Sequence, residues 1–304
     1  MKNKKIALGL VLGAAVPAFF GAAAAKAEQP WSLEVAAGVQ YDGNVNVEQL
    51  DILTSESDFA GLFEASAAYE LSGSAGSLEV GYDFSQRLYE DLDQFDLQSH
   101  AFSAGAKTKL GKAKLGVDYG YHIIRLGGDP FLNMHVVTPS IAGFVSKGIY
   151  LRGYYSFYDK NFEVANNRDS NSHSVGLTAF QFFMNSKGYF NAGVRYDIED
   201  TVDPVLDYDG YLLDAKIQLP LTIVGRDAKA RLGYSYRKRD YDNITPALGE
   251  RRRENRSVVR AELETPLVGG LSLESEYRYT NRNSNFATTN YNEHFAAAML
   301  RYHF

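Results

Sequence analysis

The sequence predicts an all-β chain: a transmembrane antiparallel up-and-down β-barrel of about 14 strands, after a cleaved signal peptide. Three observations carry this. In the last eleven residues, Phe304, Tyr302, Leu300, Ala298 and Ala296 share one parity and His303, Arg301 and Met299 the other. One face of that strand is greasy and tipped with aromatics, the other polar, as lipid on one side and a lumen on the other require. Aromatic-ended strands recur at a spacing of about forty residues, the mark of one repeated hairpin. Short turns of small residues alternate with longer polar connections, the periplasmic and outer loops of such barrels.

The chain opens with Lys2, Lys4 and Lys5, an apolar run from Ile6 to Ala25, and Ala25-Lys26-Ala27 as a cleavage site. Residues 1–27 therefore read as a signal peptide and 28–304 as the barrel. The first strand follows, with Trp31, Leu33, Val35, Ala37, Val39 and Tyr41 on one face. After a polar stretch, 42–57, come Phe59, Phe63, Ala65, Ala67, Tyr69 and Leu71 on one face of the second. Rising strands repeat at Leu78 to Phe84, Leu115 to Tyr121, Ile149 to Phe157, Phe190 to Tyr196, Ala228 to Tyr236 and Leu271 to Tyr279. Long polar stretches are expected at 42–57, 87–95, 125–133, 159–171, 198–207, 238–255 and 281–290, with a longer inner turn at 220–227. Seven hairpins give fourteen strands, with twelve or sixteen left open. Pro139 lies in the apolar run 134–145; proline removes a ladder donor, so a bulge or a shortened strand is expected there.

Composition fits. The 304 residues include 21 Tyr, 18 Phe, 1 Trp and no Cys, which excludes disulfides, thiol catalysis, thiolate metal sites and a lipid-modified N-terminal Cys. The 31 Lys and Arg face 37 Asp and Glu, and cleavage would remove four Lys, leaving a mature charge of about −10, too acidic for a nucleic-acid partner. No nucleophile elbow, zinc helix or phosphate loop is present, so no enzyme, cofactor or metal is expected. His122 reads as a wall residue.

Three outer clusters have chemistry open to them. Glu90, Asp91, Asp93 and Asp96 are acidic enough to take Ca²⁺ or to bridge to lipid phosphate through a cation; Asp207 and Asp209 with Gly210 hint at a calcium loop but lack its other ligands. Arg251, Arg252, Arg253 and Arg256 suit lipopolysaccharide phosphates by bidentate hydrogen bonds. Solvated loops are the simpler reading of both acidic groups.

Charge on the strands falls on the parity opposite the apolar face, where it would be costly in lipid, so a wet or plugged lumen is required. The pore-lining set is Glu34, Glu64, Asp83, Lys107, Asp118, His122, Arg152, Asp214, Lys216, Arg231, Arg260, Glu262, Glu276, Arg278 and Arg301. Closure joins the first three strands to the last three in an acidic arc, and leaves a basic arc on the others. At one depth the two would set a field across the pore.

Tyr41-Asp42-Gly43-Asn44-Val45, ending the first strand, resembles a Y-D-[SGD]-N-V signature. It is similar to the start of the barrel in β-barrel porins and in surface-lipoprotein assembly modifiers. The resemblance implies an outer-membrane barrel, in contact with lipid and lipopolysaccharide, and recognised by the barrel-assembly machinery through terminal Phe304. The expected function is a porin-like channel for passive or weakly selective diffusion of small hydrophilic solutes, its mouth narrowed by outer loops. The alternative is a barrel for protein or lipoprotein translocation or assembly. A third, a lipid enzyme of the outer membrane, needs a Ser or Thr beside a His and an acid, which the sequence does not advertise. Deleting Tyr302 to Phe304 is expected to lower the folded barrel in the outer membrane sharply; normal levels of heat-modifiable truncated protein would contradict the closing-strand reading.

Overall fold

The computed structural model describes residues 30–304; the signal segment expected at 1–27 lies outside the described residues. Fourteen strands form one closed antiparallel barrel. They are β1 (Trp31–Asp42), β4 (Asp58–Ser72), β5 (Gly76–Tyr89), β6 (Leu97–Leu110), β7 (Ala113–Leu126), β8 (Asp129–Ser146), β9 (Ile149–Phe162), β10 (Ser170–Phe183), β11 (Gly188–Thr201), β12 (Tyr208–Ile223), β13 (Arg226–Thr245), β14 (Glu250–Pro266), β15 (Leu271–Ser284) and β16 (Tyr291–His303). Each pairs with its chain neighbours, and β1 closes on β16 from Glu34 opposite His303 to Asp42 opposite Phe295. Closure leaves no open edge, the condition for burying strands in hydrocarbon. The remaining strands, β2 (Asn46–Val47) and β3 (Ile52–Leu53), form a two-residue ribbon inside the connection from β1 to β4.

Alternation sorts the side chains as the pleat requires. Val39 (62 % exposed), Leu232 (57 %) and Phe63 (49 %) face outward. On the other parity Arg301 (3 %), Arg282 (1 %) and Thr280 (0 %) are buried inside the barrel.

Several connections are tighter than the polarity of their sequence suggests. The stretch 125–133 is a hairpin turning on Gly127 and Gly128, both at positive φ, followed at once by β8. The two glycines supply the left-handed pair that a two-residue hairpin demands. Likewise 220–227 is a turn on Val224 and Gly225, and most of 238–255 belongs to β13 and β14, which run past the sheet as a polar hairpin. Polarity marked the loss of lipid contact, not the end of the ladder. Pro139 causes neither bulge nor shortening: β8 is 18 residues long. Pro139 sits opposite Val117 of β7, while the register to β9 continues unshifted from Val137–Phe157 to Ser140–Tyr154. The irregularities of β8 fall instead beside Phe131 and Val145.

Four outer connections share one device. A single 3-10 turn is followed by an Asp or Asn whose side chain accepts from a backbone amide at the end of the preceding strand. Asp96 accepts from Tyr89 at 2.7 Å, Asp169 from Phe162 at 2.6 Å, Asp207 from Thr201 at 2.6 Å and Asn290 from Ser284 at 2.5 Å. Asp96 and Asp207 are thus turn locks, and among the described residues no group of acids or histidines is placed to hold a metal ion.

The outward face carries a second repeat. In six hairpins a tyrosine of the rising strand bonds a polar side chain lying diagonally, two positions along the descending strand. The pairs are Tyr82–His100 (2.8 Å), Tyr119–His135 (2.8 Å), Tyr155–His173 (2.6 Å), Tyr196–Asp209 (3.0 Å), Tyr236–Asn255 (2.7 Å) and Tyr277–His294 (2.8 Å). Each histidine also lies directly opposite a second ring, Phe84, Tyr121, Phe157 or Tyr279. Interfacial tyrosines need a partner for their hydroxyl where water thins out, and the diagonal is within reach of an aromatic side chain.

Outward Leu232→Arg is expected to destabilise the bilayer-inserted barrel by about 2–4 kcal/mol, whereas inward Ser235→Arg, three residues along β13, should cost far less. Unfolding from bilayers measures both, and equal costs would contradict the assigned register.

Candidate functional site

The connection from β1 to β4 does not project outward. It turns into the barrel, and the five residues Tyr41 to Val45 make the turn. Asp42 accepts from the Tyr89 hydroxyl at 3.0 Å and from the Asn44 amide at 3.1 Å. The Gly43 amide donates to the His294 carbonyl at 2.8 Å, and a Cβ on Gly43 would stand only 2.8 Å from that oxygen. Glycine is needed there for close approach. The Asn44 side chain accepts from the Ser55 amide at 3.2 Å, tying the two legs of the loop together. Val45 is buried against Ala60 and Tyr89.

From this anchor the loop spans the lumen. Val47 packs on Ile124, Phe131, Leu132, Met134, Tyr158 and Phe162, an apolar patch on β7, β8 and β9. Glu48–Leu50 is a 3-10 turn ended by Asp51 at φ 57°, a conformation that Asp tolerates better than most residues. Side chains three apart eclipse on such a turn, so Glu48 and Asp51 face the same wall. That wall is arginine. Asp51 receives Arg252 of β14 at 2.8 and 3.0 Å, Arg282 of β15 at 2.7 Å and Arg168 at 3.0 Å. Glu48 pairs with Arg256 of β14 at 2.9 Å and with Arg237 of β13. Arg168, on the connection from β9 to β10, also donates to the Gln49 carbonyl at 2.7 Å. The loop is thus held from three sides. Beside it lies a cavity of about 120 Å³, whose lining includes Glu48, Asp51, Lys160, Arg168, Arg237 and Arg239.

Burial pushes the Asp51 carboxyl up, but the guanidinium groups of Arg252, Arg282 and Arg168 outweigh it and hold the acid well below the usual carboxylate range. The group is therefore ionised throughout the physiological range, and each pair is a charge-assisted hydrogen bond.

The pore-lining residues expected from the sequence lie in the wall as local ion-pair ladders. Arg301 gathers Glu64 at 2.7 Å, Glu274 at 3.0 Å and Glu34 at 3.9 Å. Glu262 meets Lys216 at 3.6 Å, Arg231 at 3.6 Å and Arg260 at 3.9 Å. Glu276 bridges Arg260 (3.1 Å) and Arg278 (3.5 Å), and Arg278 stands over the Phe295 ring. Arg152 lies 3.8 Å from Asp118 and Lys107 3.9 Å from Glu79. Asp214 accepts from Asn191 at 3.4 Å. Asp83 sits opposite Ser66 and Ala101, and His122 opposite Ala101 and Met134. The acidic and basic arcs are in contact where they meet along the wall. They interlock at both seams, Lys216 and Arg231 with Glu262 on one side and Lys107 with Glu79 on the other.

The Arg251 to Arg256 group divides by parity. Arg251 and Arg253 are exposed, but Arg252 and Arg256 turn inward and are buried on the loop carboxylates, so a four-arginine grip on lipopolysaccharide does not form. Sequence reasoning missed Glu48, Asp51, Arg168 and Arg282. The available signal was Val45, Val47, Leu50 and Ile52, apolar residues with no reason to stand in a loop that only meets water.

Asp51→Asn should lower barrel stability on the order of 3 kcal/mol, the scale of a broken buried pair, measured by denaturant unfolding in micelles. Because the folded acid is depressed, its contribution is complete above the unfolded value of about 3.9 and fades only as pH falls below it. The protection of a cysteine placed at Gln49, its labelling rate relative to a free thiol at the same pH, should therefore be constant across pH 5 to 8 and weaken only in strong acid.

The fold has known counterparts. OmpT of Vibrio cholerae expressed in the outer membrane superposes with a TM-score of 0.54 at 8% identity, over 91% of this chain and 99% of that one. An anion-selective porin from Comamonas acidovorans gives 0.50 at 9%, over 90% and 98%, and OccAB3 of Acinetobacter baumannii 0.50 at 10%, over 90% and 99%. At such identities the likeness is one of fold. A comparison with curated proteins gives no match. Residues 62–304 match the family model described as surface lipoprotein assembly modifier. That stretch begins in β4 and runs through the closing strand, so this integral outer-membrane barrel belongs to the surface lipoprotein assembly modifier family.

Proposed function

We propose that the barrel is a non-catalytic, loop-constricted channel for small hydrophilic solutes. One observation carries the reading: the first loop crosses a lumen lined by charge and is clamped on opposite walls, by Val47 on β7–β9 and by Glu48 and Asp51 on β13–β15. A charged lumen has no use in a barrel that only anchors, and fourteen strands exceed the number that side chains alone fill. The clamp makes the resting pathway narrow. Family membership favours a second reading, a barrel through which surface lipoproteins are handled, with the loop as a plug that a partner displaces.

Replacing residues 46–53 by a short Gly-Ser linker is expected to raise single-channel conductance of the refolded protein several-fold. A loopless barrel that conducts no more than the intact one would overturn the channel reading. Counting surface-exposed lipoproteins by protease shaving, with and without the gene, decides the second reading independently.

A further inference from the structure

The wall that clamps the first loop is oversupplied with donors. Arg168, Arg237, Arg252, Arg256 and Arg282 converge there from three strands and a loop, with Arg239 beside them over the Tyr208 ring. The acids that meet these six are Glu48 and Asp51 from the loop and three from the wall itself: Glu254, which pairs with Arg252 and Arg282, Glu199, which faces Arg239, and Glu293, which faces Arg256. Nε of Arg252, Arg256 and Arg239, and both Nε and Nη1 of Arg282, are buried without a hydrogen-bond partner, although Arg282 is only 1 % exposed. Each guanidinium brings five N–H donors in a planar fork shaped for two oxygens of one anion. The loop supplies two carboxylates, presented three residues apart on one 3-10 turn. If they withdraw, three wall acids remain against six arginines, and two of them, Glu199 and Glu293, also serve Lys160 and Arg278.

We infer that this arginine wall is a binding site for small multivalent oxyanions, solutes bearing phosphate or paired carboxylate groups, and that Glu48 and Asp51 are its built-in occupants. This rests on the channel reading and names its solute class. The covalent tie explains why the site is closed at rest: the acids are held by Asn44 and Gly43 at the loop base and so compete at high effective concentration. An oxyanion that takes the donors held by the loop acids together with those the loop leaves unmet exchanges with the acids instead of adding to them. The adjoining cavity gives it a place to enter: five bases, Lys160, Arg168, Arg195, Arg237 and Arg239, line it, and besides the loop acids only Asp197 and Glu199 oppose them there. Release of the loop and occupation of the wall are one event, coupling passage to the charge of the solute.

Two measurements test this with inorganic pyrophosphate as probe. The protein has no cysteine, so a Gln49→Cys variant reports loop release by its thiol labelling rate. Pyrophosphate is expected to speed labelling by about tenfold, whereas sodium chloride at matched ionic strength should not, since screening alone acts on all the pairs alike. In calorimetry, E48Q/D51N should bind pyrophosphate about tenfold or more tighter than the wild type, in line with charge-assisted bidentate contacts freed from competition. Adding R237Q/R282Q to that variant should abolish binding. Heat-modifiable migration confirms that each variant is folded. Labelling that pyrophosphate does not change more than chloride does overturns the proposal, as does binding by the folded double variant that is no tighter than wild type or that survives loss of the arginines. Conductance is read separately: pyrophosphate binding without conduction sinks the channel reading and leaves the site standing, and conduction without binding does the reverse.

Discussion

Every backbone amide that faces hydrocarbon must find its partner within the protein, because lipid offers none. The rest of this structure follows from that requirement. It forces the strands to close, β1 on β16, and closure creates a lumen whether or not one is needed. Hydrophobic side chains satisfy the outer surface, so charge is driven to the inner parity. Once inside, charge must be paired or wetted. The ion-pair ladders from β12 round to β4 and the loop clamp on β13–β15 are two answers to the same demand.

The answers differ in kind. The ladders join residues of the sheet itself, on one strand, on adjacent strands or on strands one apart, such as Arg301 of β16 and Glu64 of β4. In the clamp the acids come from a segment with its own local fold, a tight turn between two short strands. A wall pair is carried by the sheet itself, whereas the clamp's acids sit on the connection between β1 and β4. The barrel thus combines a hydrogen-bonded frame with one element seated across it chiefly by side-chain contacts.

The fold was legible because its signal is periodic. Fourteen strands, the identity of lipid-facing residues such as Val39 and Leu232, and the closing role of the last strand all follow from alternation, which each side chain expresses by itself. What alternation does not encode is where a ladder ends: β13 and β14 continue as a polar hairpin because hydrogen bonds do not require apolar side chains. The Tyr–His diagonals were hidden for a related reason. Their partners stand 16 to 18 residues apart, a separation set by hairpin length and not by any local motif. The loop clamp was least legible. Arg252 and Arg282 are 201 and 231 residues from Asp51, and only closure brings them together. The short Tyr41 to Val45 motif was visible, but its meaning is conformational: it aims the loop.

The clamp also ties the barrel's interior to its seam. Val47 rests on β7–β9 in the middle of the chain, whereas Arg237, Arg252, Arg256 and Arg282 belong to its last third. The strands that compensate Glu48 and Asp51 thus run up to the one that closes on β1, and a chain truncated before β15 lacks both the seam and Arg282 of the clamp.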